Sequence, residues 1–293
     1  MLKNRTTAEK LFDWGNIALM LVICFLTIYP IWYVIVNSFN EGQDAMRGGI
    51  YWLPRVFSLD NYNTVFQNKG LMTAMGITVA KTVVGTALHV FFTAMVAYAF
   101  SRKELVGRTL YMYIGTVTLF FSGGLIPYYL LIRDLGLLDS FWVYIFPAMF
   151  SFFDLIIFLA FFRELPEGLE EAARIDGAND FKIFYRIIIP CSMPVIATIS
   201  LFHGVYQWND YFTAVIFTNN PDLQPIQTFL YRIVALSGSN QIASMVPDNV
   251  VRKVTSQSVK LATMVVATLP IVIVYPFLQK YFVKGFMIGS IKG

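Results

Sequence analysis

The chain has 293 residues, of which 57% are hydrophobic and only 14% charged, and its net charge is +4. A mean hydropathy of +0.60, with a charged fraction well under the roughly 25% of soluble domains, excludes a water-soluble globular protein. The modest positive charge calls for no nucleic acid, and the two cysteines, Cys24 and Cys191, lie in or beside apolar runs, as small packing residues rather than a disulfide or a metal site.

The apolar residues fall in blocks of about 20, the length that a hydrocarbon layer of roughly 30 Å selects. Six spans are predicted. The first, 16–36, follows a basic start (Lys3, Arg5, Lys10). It is too long for the apolar core of a secretion signal and no small-residue cleavage pattern follows it closely, so it reads as a retained span. A polar segment, 37–71, separates it from the second span, 72–100. The third and fourth are 110–132 and 141–162, and the fifth is 187–217. The second and fifth are long enough to tilt or to project from the bilayer. The segment 218–258 holds a short apolar piece, "IQTFLYRIVAL", expected to form a small helix on the outer face, and 259–282 is the sixth span. The predicted fold is all-α, a polytopic membrane helix bundle of six transmembrane helices in a single domain, 1–293.

Lys and Arg set the direction. With the N-terminus inside, 13 of the 22 fall on inner segments and 8 on outer ones, and Lys81 lies within a span. The outer charges sit mostly in the two long loops, which weigh less in the positive-inside rule, so both termini are placed in the cytoplasm.

The cytoplasmic loop 164–186 is dense in charge between two apolar runs. Pro166 suits the first turn of a helix. Glu167, Glu170 and Glu171 follow near the positive end of the helix dipole, with Arg174 near the other end. Gly177 supplies a left-handed terminator, and Asn179 or Asp180 caps a second helix running into Pro190. This is a helix–turn–helix. Ala172 and Ala173 leave a bare surface for another protein, and Phe181, Phe184 and Ile188 form an apolar stripe; a solvated connection is the bland alternative.

Glu171-Ala172-Ala173, Gly177, Ile187 and Pro190 keep the spacing E-A-A, three residues, G, nine residues, I-x-L-P, with Ile189 where Leu is usual. That pattern resembles the cytoplasmic signature of permease subunits of binding-protein-dependent ABC importers. "FSGGLIPYYLLIRDLGLLDS", "WND" at Trp208–Asp210 and the tail "YFVKGFMIGSIKG" resemble the carbohydrate branch, including the second permease of the maltose importer and permeases for complex oligosaccharides and polysaccharide fragments. The resemblance implies a type I ABC importer permease fold. It further implies that Glu170, Glu171, Ala172, Ala173, Asp176, Gly177 and Ala178 couple to a cytoplasmic ATPase. The implied partners are a second permease of a different sequence, two ABC ATPases and an extracytoplasmic substrate-binding protein, in the cytoplasmic membrane of a prokaryote. The tail, 285–293, reaches the ATPases or is a frayed end. The substrate class is an oligosaccharide or polysaccharide fragment, with acidic alginate- or pectin-derived pieces included because Lys81 and the outer arginines offer positive charge.

The chain is not its own motor. No Gly is followed directly by Lys, so the phosphate loop G-x-x-x-x-G-K-[ST] is absent. No catalytic motif or metal spacing is present. The expectation is a chain that binds no cofactor, with ATP and Mg on partner ATPases.

Polar residues inside spans are functional candidates. Thr78, Thr82, Gly85, Thr86, His89 and Thr93 share a stripe of the second span, read as packing. Ser200, His203, Gly204, Gln207 and Asp210 share one on the fifth. Gln207, Trp208, Asn209 and Asp210, about 25 Å along that span from Pro190, are read as a passage or gate. His203 and Lys81 join the tentative pathway, with an interior histidine and a snorkelling lysine as the alternatives. Asp154 is expected to pair with a neighbouring helix. A secondary transporter of a small polar solute would need repeated or broken spans around a midplane ion site, and no repeat is seen. A membrane-embedded enzyme would need a catalytic cluster, for which two histidines on different spans are thin support.

Overall fold

The computed structural model describes residues 6–166, 168–235 and 255–290, so the basic start with Lys3 and Arg5, Glu167, residues 236–254 and Ile291 to Gly293 lie outside the described residues. The described chain is helical; among these residues the only β-pairing is a single bridge between Asn40 and Phe57. Contacts group the chain into two compact units, residues 1–69 with 233–268, and residues 70–232 with 269–293.

In the first unit, helix α1 (Thr7–Ser38) starts in a capping box. The Thr6 hydroxyl accepts the Glu9 N–H, and Glu9 Oε2 accepts the Thr6 N–H at 2.9 Å. The helix is apolar on every side and almost wholly exposed within the chain, as a helix surrounded by lipid or other membrane helices must be. The segment after it, which read as a loop, is instead a hydrogen-bonded knot around two short helices, α2 (Gly42–Met46) and α3 (Asp60–Gln67). Asn61 Nδ2 donates to the Ser38 and Asn40 carbonyls, and Asn40 Nδ2 and Arg55 Nε both donate to Asp44 Oδ2.

The second unit holds α4 (Lys69–Ser101) for nearly all its length. Among the described residues three helices are long and apolar enough to cross a membrane alone: α1, α4 and residues Gln257–Val274 of the final helix. Three further candidates are bent pairs, which makes up to six if each pair is one span. The third is α5 (Arg108–Phe120) and α6 (Leu125–Asp134), which meet at 117°. Gly124 lies at the bend with φ +85° and ψ 172°, a conformation that essentially only glycine adopts. The fourth combines 3-10 turns at Phe141–Tyr144 and Phe146–Ala148 with α7 (Phe152–Glu164) at 49°, and the Ser151 hydroxyl caps α7.

The charged loop 164–186 carries α8 (Gly168–Ile175) and α9 (Asp180–Ile183). A π-helical turn, Phe184–Ile188, leads into the single turn α10 (Ile189–Cys191), and the chain then bends 82° at Ser192 into α11 (Met193–Asn209). Pro190 and Pro194 each remove a backbone donor on either side of that bend. The fifth span is therefore not one straight rise from Pro190. It ends at Asn209, and α12 (Phe212–Phe217) resumes after a break at Asp210. The short helix expected within 218–258 is α13 (Ile226–Ala235), and α14 (Ser256–Ser290) is the last. The core of the second unit packs Ala94, Ala97 and Tyr98 of α4 against Leu155, Phe158 and Leu159 of α7, with Ile183, Phe184, Ile188 and Ile199. Cys24 and Cys191 are free and exposed, not packed as expected.

Candidate functional site

The helix–turn–helix expected in the charged loop forms where the sequence places it. Glu170 and Glu171 lie in the first turn of α8 and Arg174 in the last, matching the helix dipole. Gly177 has φ +79°. Its N–H donates to the Arg174 carbonyl and the Ala178 N–H to the Ala173 carbonyl, the paired bonds of a Schellman turn. Asn179 then caps α9 by accepting the Lys182 N–H at 2.9 Å, and Arg174 Nη2 crosses the turn to Asp180 Oδ1 at 2.6 Å. The loop is tied to the rest of the unit through Arg102, at the end of α4. Arg102 pairs with Glu170 and lies 4.1 Å over the Tyr98 ring.

Two expectations change here. Ala173 is buried in the core, with Ala178 packed against it, while Ala172 is exposed. Neighbouring helix positions lie 100° apart, so the two alanines do not share one outward face. Phe181 leaves the apolar stripe: it is 61% exposed, while Ile183 joins Phe184 and Ile188 inside. The outward surface consists of Glu171, Ala172, Asp176 and Gly177 with the apolar Leu169, Ile175, Phe181 and Tyr185. Ile175, 86% exposed at the turn, is the residue the sequence reading missed. An apolar side chain beside a charged turn was its only signal.

Within the membrane segments, Lys81 is fully buried and does not snorkel. Its Nζ donates to the Asp210 carbonyl at 2.7 Å and lies 3.3 Å from Asp210 Oδ2 and 4.8 Å from the Tyr144 ring centre. The stem runs inward because the end of α11 concentrates negative charge there, from a carboxylate and the terminal carbonyls of a helix. Asp210 Oδ1 also accepts the Thr213 N–H. Gln207 is buried, and its Nε2 donates to the Tyr144 carbonyl at 2.9 Å. Trp208 is buried, and Asn209 is exposed with its Nδ2 on the Val205 carbonyl. The turn read as a passage wall is largely occupied by its own bonds, although Gln207 and Asp210 do line a small pocket of about 60 Å³ with Tyr128, Tyr144 and Tyr206.

Two larger clefts lie elsewhere on α11. One, of about 560 Å³, is apolar and lined by Thr82, Thr86, Ser200, Gly204, Trp208 and Val274 among others. The second, of about 500 Å³, contains His89, Ser151, Asp154, Phe202, His203 and Tyr206. Here His89 Nδ1 meets the Ala148 carbonyl and Nε2 meets Asp154 Oδ2, both at 2.8 Å, which joins α4 to α7 as expected for Asp154. The rings of His89 and His203 stack at 3.7 Å and 10°. Among the described residues no three His, Cys, Asp or Glu side chains converge as metal ligands.

Comparison with known proteins supplies the context. Residues 70–288 match the family described as binding-protein-dependent transport system inner membrane component. The chain is 40% identical over 285 residues to the polygalacturonan/rhamnogalacturonan transport system permease protein YtcP of Bacillus subtilis (strain 168), covering 97% of this chain and 99% of that protein. It is 41% identical over 290 residues to Protein LplC of the same organism, covering 99% and 98%. A chain in the crystal structure of a bacterial ABC transporter involved in the import of the acidic polysaccharide alginate superposes with a TM-score of 0.89 at 31% identity, covering 95% of this chain and 99% of that one. Six apolar segments, a capped helix–turn–helix between the fourth and fifth, and likeness over nearly the whole length agree: this chain belongs to the binding-protein-dependent transport system inner membrane components, as a carbohydrate ABC importer permease and not an enzyme.

Proposed function

We propose that this chain is one of two different permeases of an importer that takes up an oligosaccharide or polysaccharide fragment by alternating access. An extracytoplasmic binding protein delivers the sugar. Two cytoplasmic ATPases bind ATP and Mg and dock on the α8–α9 loop, and both termini of this chain are cytoplasmic. One observation carries the reading: a rigidly capped helix–turn–helix that presents Glu171, Ala172 and the exposed Ile175 beyond its own core. Leu169, Ile175, Phe181 and Tyr185, all exposed on this one short loop, support a contact surface, and ATP chemistry has to come from a partner because the chain lacks a phosphate loop. The saccharide class is supported by the transport named for YtcP and for the alginate transporter, both of acidic polysaccharides.

The test is co-purification from native membranes followed by reconstitution. Expected is a complex with two ATPases and a second permease, whose ATP hydrolysis rises with sugar-loaded binding protein. In Ile175→Glu the ATPases are lost from the complex or that stimulation disappears. A permease that purifies alone, or unchanged stimulation in Ile175→Glu, overturns the docking assignment.

A further inference from the structure

The cleft built around His89, Asp154 and His203 lies deep in the membrane segments. His89 is roughly 30 Å along α4 from Lys69 and roughly 18 Å from Ser101, and His203 is about 15 Å into α11, at 1.5 Å per residue. Polar groups at such depth face protein or a water-filled space, because acyl chains leave them unsolvated. We propose that this cleft is a saccharide-contact subsite that reads hydroxyl groups and C–H faces. The proposal rests on the reading of the chain as a saccharide importer permease and adds which part of the sugar this chain touches.

Three polar groups supply the hydrogen bonds. Asp154 spends Oδ2 on His89 yet still lines the cleft. His203 has its tautomer set by Gln207. The Tyr144 carbonyl fixes the Gln207 amide nitrogen, whose second N–H points at His203 Nε2, 3.4 Å away, so Nε2 accepts and Nδ1 carries the proton. The Tyr206 side chain is 58% exposed, and its hydroxyl enters none of the hydrogen bonds described. A carboxylate acceptor, an imidazole N–H and a phenol together match the mixed donors and acceptors of sugar hydroxyls. Phe150, Phe153 and Phe202, each at least 40% exposed, add ring faces for C–H groups. The volume, about 500 Å³, is that of a small-ligand site.

Among the described lining residues there is no Lys or Arg, and Lys81 is committed to Asp210 and supplies no reason for an acidic substrate. Asp154 is not a bare charge, because His89 sets Nε2 against it and Nδ1 against the Ala148 carbonyl, so a proton lies between ring and carboxylate.

The test uses the whole importer in proteoliposomes with its binding protein, offered a mixture of pectin-, alginate- and starch-derived tetrasaccharides, with imported sugar and hydrolysed ATP measured together. For the sugar that wild type imports, Tyr206→Phe and Asp154→Asn are expected to lower sugar imported per ATP about tenfold while binding-protein-stimulated ATP hydrolysis persists. Tyr206→Phe removes one exposed hydroxyl and leaves the fold's hydrogen bonds in place. Wild-type ratios in both variants remove the subsite and leave the importer reading intact. A rise in import of an acidic sugar in Asp154→Asn, with no fall for Tyr206→Phe, overturns it too. If wild type imports none of the three, the saccharide reading fails and the subsite with it.

Discussion

Lys81 and Asp210, 129 positions apart in sequence, meet as an ion pair with no exposed surface on the lysine side chain. The pair joins α4 to the break between α11 and α12, and the Asp210 backbone carbonyl takes the shorter of its two contacts. Removing one member of a buried pair strands the other, at a cost of about 3–5 kcal/mol. Lys81→Met is therefore expected to lower the thermal stability of the purified permease sharply. Asp210→Asn, which keeps the carbonyl contact, does so by less. Equal melting temperatures for the two variants and wild type would show that the pair holds nothing together.

The turn at Gly177 gives a second expectation. Gly177→Ala places a Cβ at φ +79°, a left-handed conformation that costs roughly 1–2 kcal/mol. Gly177→Pro in addition removes the N–H that donates to Arg174. Membrane insertion persists in both, while ATP-driven uptake weakens in the first and is abolished in the second. Glu171→Lys joins the second class, because it puts a cation at the start of α8 on the exposed face. Full uptake by Gly177→Pro in vesicles contradicts the coupling role.

Gly85 lies under Gln207. A Cβ there would come 2.9 Å from Gln207 Nε2 and 3.2 Å from its Cδ. Gly85→Ala thus displaces the amide from the Tyr144 carbonyl, with an overpacking penalty of about 1–3 kcal/mol. The double variant with Gln207→Ala removes the clash, so its stability loss is smaller than the sum of the two single losses. Simple additivity in melting temperatures would contradict that contact.

Asp139 lies outside the membrane segments with φ +53° and receives the backbone N–H groups of Asn220 and Asn219. These bonds hold its carboxyl below the ordinary value of 3.8. A lowered folded-state pKa gives a stabilisation that is complete above about pH 4 and fades as the pH falls through the lower folded value. The stability difference between wild type and Asp139→Asn should be constant at neutral pH and shrink only in strong acid. A difference that grows on acidification has the wrong sign for this arrangement.

What the sequence made legible was local. Gly177 and Asn179 each act within one or two turns, so the charged loop could be read residue by residue, although Pro166 lies before the first turn of α8 and not in it, and the capping box at Thr6 and Glu9 carried the same kind of signal unread. The bends had local signals too: Gly123-Gly124 and the pair Pro190 and Pro194. A hydropathy window averages over such breaks and returns straight spans. Lys81–Asp210 and His89–Asp154 join distant segments, and no spacing rule reports them. Their residues drew notice only as polar groups in apolar runs, and for Lys81 a plausible route to the surface hid the buried partner.

The buried lysine has a consequence for how the protein is made. At about 5–20 residues per second, the 129 positions between Lys81 and Asp210 take roughly 6–26 s to synthesise. For that interval the second membrane segment carries an ammonium whose counter-ion does not yet exist. A centrally placed lysine costs about 2.5–3.5 kcal/mol to insert on its own, so the nascent segment needs provisional shelter, in the insertion machinery or with its charged tip at the headgroups, until α11 emerges. The final position of Lys81 is therefore reached late, and an Asp210 variant would leave it with the backbone carbonyl but no counter-charge, exposed to membrane quality control before the importer is assembled.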